Sequence, residues 1–88
     1  MHEHSLTAGL IKKITDIARI NGAEKVVRVT VRLGALCHIS ADHFREHFEE
    51  AARGTVADGS DLVIESATDT QDPTAQDILL LSVDVEEE

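Results

Sequence analysis

With Phe44 and Phe48 as its only aromatic residues, this chain must build its core almost entirely from aliphatic side chains. A chain of 88 residues has room for one domain, and that domain buries only a modest core. Every apolar stripe therefore has to face inward, and the periods of those stripes dictate the fold. Oligomerisation would add buried area, but the sequence neither requires nor demonstrates it.

The stripes alternate in period. Leu6, Leu10, Ile14 and Ile17 recur at steps of four, four and three, with Ile11 and Ala18 widening the face; this predicts a helix over roughly Ser5 to Ile20, stopped by Asn21-Gly22. Val27, Val29, Val31 and Leu33 then alternate with Arg28, Thr30 and Arg32, the pattern of a half-buried strand that ends at Gly34. Ser40 is a good N-cap, Asp42 suits a first turn, and Phe44, Phe48, Ala51 and Ala52 mark a second amphipathic helix over Ala41 to Arg53. Leu62 to Glu65 reads as a second strand. Ile78 to Val85 reads as a third, with its odd positions Leu79, Leu81, Val83 and Val85 apolar throughout. The fold class expected is α+β, in the order helix-strand-helix-strand-strand, with a three-stranded sheet and both helices on one face. Residues 66–77 are polar, hold the only proline and show no apolar period. So long a loop in a small domain implies either mobility or the former site of something else.

Composition narrows the function classes. The formal net charge of −9 repels phosphate backbones, which argues against a nucleic-acid partner. It favours basic partners and attracts cations weakly, although solubility alone would explain it. A single cysteine, Cys37, excludes an intramolecular disulfide and a four-cysteine zinc site within one chain, and an unpaired thiol suits a reducing cytoplasm. The N-terminus is polar with no apolar signal core, and no segment approaches the length of a membrane span. There is no glycine-rich phosphate loop and no local arrangement of a catalytic triad, so an enzyme is not expected.

Five histidines invite a metal reading. At Met1-His2-Glu3-His4, a free terminal amine, the deprotonated amide of residue two and the His2 imidazole can form fused chelate rings around one ion. Amide deprotonation requires a strongly polarising ion, which favours Ni(II) or Cu(II) in a tetragonal field. The Glu3 carboxylate or the His4 imidazole can complete the set. Removal of Met1 would move an imidazole to position three, but a bulky second residue usually protects the initiator, so Met1 is expected to remain. Many short His-bearing termini bind nothing, and from spacing alone this signal is weak. His43 and His47 lie four apart on the second helix and share a face; a polar helix flank is the favoured reading of that pair. Cys37 and His38 are adjacent, which rarely suits one ion, and a partly buried thiol behind a surface histidine is expected there.

The opening Met1-His2-Glu3-His4-Ser5-Leu6 resembles the start of the HypA family of hydrogenase and urease nickel-incorporation proteins. Three further stretches are similar to that family: Val29 to Leu36 to its first strand and exit turn, Phe44 to Glu49 to its second helix, and Ala52 to Glu65 to its glycine-threonine turn and second strand. Residues 1–65 carry the resemblance in order, and Ile78 to Val85 resembles the closing strand. The resemblance implies that Met1 (through its amine), His2 and Glu3 bind Ni(II); His4 is an additional donor from its position alone. The resemblance further implies delivery to a partner GTPase or to the precursor of a nickel enzyme, a [NiFe]-hydrogenase above all. Family members carry two Cys-x-x-Cys pairs holding zinc between strands two and three. Here residues 66–77 stand in their place, so no zinc is expected and residues 1–88 read as a single nickel-binding-type domain. Cys37-His38 and His4 also depart from the family's usual residues, which could redirect metal preference. The competing expectation is a metal-independent adaptor or assembly protein derived from the same fold, working through its sheet edge and acidic surface.

Overall fold

A computed structural model describes residues 2–86, with side chains from Thr7 onward. Two helices and three strands follow in the expected order: α1 (His2–Ile20), β1 (Val26–Leu33), α2 (Ala41–Ala52), β2 (Asp61–Ser66) and β3 (Ile78–Val85). The sheet order is β2-β1-β3, with β2 parallel and β3 antiparallel to β1. A parallel neighbour needs a crossover, and α2 supplies it. α1 lies against α2 and β3, and α2 against β2, so both helices cover the same face of the sheet.

α1 begins at His2, three residues before the expected start. Nothing in His2-Glu3-His4 breaks a helix, and an acidic residue in the first turn suits the positive end of the helix dipole. Its buried stripe runs through Thr7, Ile11, Ile14 and Ala18, with Leu10 and Ile17 only half-buried beside it. The inward face is thus rotated from the Leu10–Ile14–Ile17 centre expected from hydropathy, and the Leu6 side chain lies outside the described residues. Thr7 is buried although polar and Ala18 although small, so packing rather than hydropathy alone sets the inward face. Gly22, at φ 68°, ends the helix with a paired motif: its N–H donates to the Arg19 carbonyl and the Ala23 N–H donates to the Ala18 carbonyl.

α2 starts as its sequence says. Ser40 is extended (φ −77°, ψ 159°) and its Oγ accepts from the His43 N–H at 3.1 Å. α2 ends at Ala52, one residue short of the expected Arg53, which is its C-cap, and Gly54 follows at φ 80°.

Two irregularities redirect the expected strand faces. Between the pairs Val26–Val85 and Arg28–Asp84, β1 carries one extra residue, Val27. Val26 is therefore fully buried, whereas Val27, expected in the core, is 41% exposed. Between the pairs Thr30–Ser82 and Val31–Leu80, the extra residue is Leu81 on β3. Each bulge shifts alternation by one and so exchanges faces. Ile78 and Leu80 pack on the core before the Leu81 bulge, and Val83 and Val85 after it. A single odd-numbered face on β3 is thus corrected: Leu79 and Leu81 do not join the core.

Residues 67–77 are held in place by backbone contacts. β2 ends and β3 begins at the C-terminal end of β1, on opposite sides of it, so the connection must cross the β1 exit. It crosses at Gly34. There the Ala67 N–H donates to the Leu33 carbonyl, Gly34 N–H to the Asp77 carbonyl (2.9 Å) and Leu36 N–H to the Ala75 carbonyl (2.7 Å). Ala75 is buried beneath it. The polar composition reflects turn building rather than looseness: the Asp72 carboxylate accepts from both the N–H and the Oγ1 of Thr74 at 2.7 Å.

Those bonds, the Thr74 hydroxyl first and its backbone N–H second, hold the Asp72 carboxyl below its ordinary value. A depressed folded-state pKa stabilises the protein above the unfolded value of about 3.9, and that contribution is lost as pH falls through the lower folded value. We therefore expect the strap's amides to keep their chemical shifts down to about pH 4 and to move only below it. In Asp72→Asn, the acid-dependent movement of the Thr74 amide should vanish; its persistence would show that another group is titrating.

Candidate metal centre

The N-terminal donors are carried on α1, whose backbone is helical from His2. Met1 lies outside the described residues, as do the side chains of His2, Glu3 and His4. The described backbone bears on the chemistry. The first four N–H groups of an α-helix have no intrahelical acceptor, so the His2 and Glu3 amides compete for no carbonyl. Ionising the residue-two amide therefore breaks no helical hydrogen bond. The positive end of the helix dipole opposes a cation by about 0.3–1 kcal/mol, an effect that the anionic amide and the Glu3 carboxylate oppose directly. With a rise of 1.5 Å per residue, His2 stands roughly 7.5 Å along the axis from Thr7, the first buried residue.

Cys37 and the other three histidines lie among the described residues. Cys37 is half-buried, packs on the core and points its thiol at the Ile39 carbonyl (3.6 Å), with exposed His38 beside it at φ 65°. The expected thiol behind a surface histidine is what the fold builds. On α2, His43 is exposed and His47 half-buried, with ring centroids 5.4 Å apart. Among the described residues, no three His, Cys, Asp or Glu side chains gather around a common point.

A cleft of about 360 Å³ lined by Phe48, Glu49, Arg53, Asp58 and Ser60 contains no histidine or cysteine. Among the described residues, no helix is long and apolar enough to cross a membrane.

Comparison with known proteins adds what geometry leaves open. The family model for HypA, described as hydrogenase/urease nickel incorporation metallochaperone, matches residues 1–71. The hydrogenase maturation factor HypA of Chlorobaculum tepidum is 35% identical over 65 residues, covering 74% of this chain and 58% of that protein. That of Acidithiobacillus ferrooxidans is 38% identical over 64 residues, covering 73% and 57%. The chain thus spans somewhat over half the length of these relatives. The solution structure of the Ni metallochaperone HypA from Helicobacter pylori superposes with a TM-score of 0.81 at 20% identity, covering 98% of each chain. A second HypA solution structure gives 0.72 at 19% identity. At such identities these likenesses speak for the fold.

Proposed function

Because the chain belongs to the HypA family, whose model matches residues 1–71, we propose that it binds one Ni(II) ion as cargo through the Met1 amine, the His2 amide and imidazole, and Glu3, with His4 as an additional donor. It then hands the ion to a maturation GTPase or directly to the large-subunit precursor of a [NiFe]-hydrogenase. The observation that carries this reading is the family match running through the terminal Met1-His2-Glu3, on a helix whose first amides are free of backbone partners. In this reading the protein is a carrier rather than a catalyst, and its cargo chemistry belongs in the cytoplasm. Residues 66–77 close the domain across β1 in the place where the family holds its zinc module, leaving residues 1–88 as one nickel-binding-type domain without zinc.

The test is calorimetric titration with Ni(II) of untagged protein, its N-terminus and metal content established by intact mass. One tight site per chain should appear and be lost in His2→Ala. Alanine is the better helix former, so the variant removes the donor without removing the helix. Absence of tight binding, or tight binding unchanged in the variant, would sink the nickel reading, and zinc found in the purified chain would sink the zinc-free strap.

The outer sheet face keeps a second reading alive. Val63 and Leu81 stand 42% and 41% exposed on it, beside the Arg32–Glu65 ion pair. An adaptor using that face would capture its partner equally well in the wild type, in His2→Ala and under chelation.

A further inference from the structure

We propose that α2 carries a second divalent-metal site, in which the imidazoles of His43 and His47 chelate one ion of the imidazole-preferring class: Ni(II), Cu(II) or Zn(II). The site is separate from the N-terminal one, and the proposal does not depend on the N-terminal reading.

The sequence spacing places the two rings one turn apart, and the structure brings them together. Their centroids are 5.4 Å apart and their planes are inclined by 38°. Two imidazoles each bound at roughly 2.1 Å, with about 90–110° at the metal, hold their centroids roughly 4.5–5.3 Å apart. The observed pair needs only a small side-chain adjustment to close on an ion.

The backbone beneath is fixed. The neighbouring Phe44 and Phe48 are 1% exposed and pin the adjacent face of α2 in the core. The Ser40 cap bonds the His43 N–H itself, so the first ligand sits on a capped turn that does not fray. Among the described residues neither imidazole has a hydrogen bond or ion pair, so no existing contact has to be broken.

Charge acts in the same direction. α2 carries Asp42, Glu46, Glu49 and Glu50 against the single Arg45, which raises the local concentration of cations. Arg45 is turned away, donating to the Leu62 carbonyl at 3.1 Å. Nitrogen donors select transition metals over Mg(II) and Ca(II), which prefer oxygen. With two protein ligands the ion keeps open positions for water or an incoming ligand. Such a site holds metal loosely and releases it readily.

The experiment uses the full chain in a His2→Ala background, which removes the N-terminal donor, and Zn(II) as a diamagnetic probe. Imidazole NMR signals of His43 and His47 should move together and saturate on one ion. Either His43→Gln or His47→Gln should weaken that binding on the order of 100-fold, the loss expected when a chelate becomes a single ligand. His43 is exposed, His47 is half-buried on the flank of α2, and glutamine favours helix, so the variants keep the fold, which far-UV circular dichroism checks. Ring signals that stay still, that move for one histidine only, or that respond with unchanged affinity in the variants would each overturn the proposal.

Discussion

Replacing Phe48 with alanine is expected to cost about 3–5 kcal/mol of folding stability. Phe48 is 1% exposed at the centre of a core whose other members are Phe44 and aliphatic or alanine side chains. No other aromatic residue exists to move into the space. Domains of this kind are stable by about 5–15 kcal/mol, and small ones lie toward the low end. The variant should therefore be substantially unfolded at 37 °C or melt well below the wild type. Phe44 lies 6.1 Å away, ring centroid to centroid, tilted by 30°. Phe44→Ala should be comparably damaging, and a double-mutant cycle should show about 0.5–1.5 kcal/mol of coupling between the two rings. The chain has no tryptophan or tyrosine, so urea melts would be followed by far-UV circular dichroism. A lower midpoint at unchanged slope is the expected result. A loss below about 1 kcal/mol would mean that the core collapses around the deleted ring, and that the aliphatic stripes suffice without it.

Gly34→Ala is expected to be nearly as severe, for a different reason. The residue does not occupy a left-handed conformation, so backbone freedom is not what glycine supplies here. A Cβ at this position would overlap the Ala75 carbonyl and stand 2.7 Å from the Thr74 oxygen. These are backbone atoms of the crossing strap, which cannot yield by turning a side chain. The strap would have to lift, breaking the Gly34-to-Asp77 and Leu36-to-Ala75 hydrogen bonds and exposing Ala75. Two backbone bonds at about 1 kcal/mol each, with the strain of overpacking, give a loss of roughly 2–4 kcal/mol. Amide exchange at Leu36 reports the event locally and should accelerate far more than exchange at Val29 in mid-strand. Wild-type protection at Leu36 in the variant would show that the strap accommodates the methyl group and that the crossing is looser than its geometry indicates.

These two sites differ in how far the sequence discloses them. Phe44 and Phe48 stand out at once, because a chain with two aromatics one helical turn apart has little choice but to bury both. Gly34 reads from sequence as the end of a strand. Its larger role, as the place where another segment crosses the exit of β1, depends on the order β2-β1-β3, which no local pattern contains. The same distinction explains the strand faces. Alternation over Val27 to Leu33 placed Val29, Val31 and Leu33 correctly. It failed at Val27 and across Ile78 to Leu81, where bulges exchange the two faces.

The candidate metal-binding residues divide similarly. Met1, His2 and Glu3 are legible as a chelating terminus because their donors are contiguous, and the family to which the chain belongs supports that reading. The closeness of His43 and His47 was latent in their spacing. Whether the rings are close, mutually inclined and free of hydrogen bonds is a property of the packed helix.

Sequence alone determined the number, order and type of elements, the Ser40 cap, the Gly22 stop, the aromatic pair and the family. Each is set by residues within a few positions of one another, acting through helical period, strand alternation or backbone freedom. Tertiary structure alone decided the sheet order, the two bulges, the inward rotation of α1 onto Thr7 and Ala18, and the anchoring of residues 67–77 across Gly34. Those outcomes depend on how closely segments distant in the chain can approach. Close packing of the assembled core sets that distance, and no short window of sequence records it.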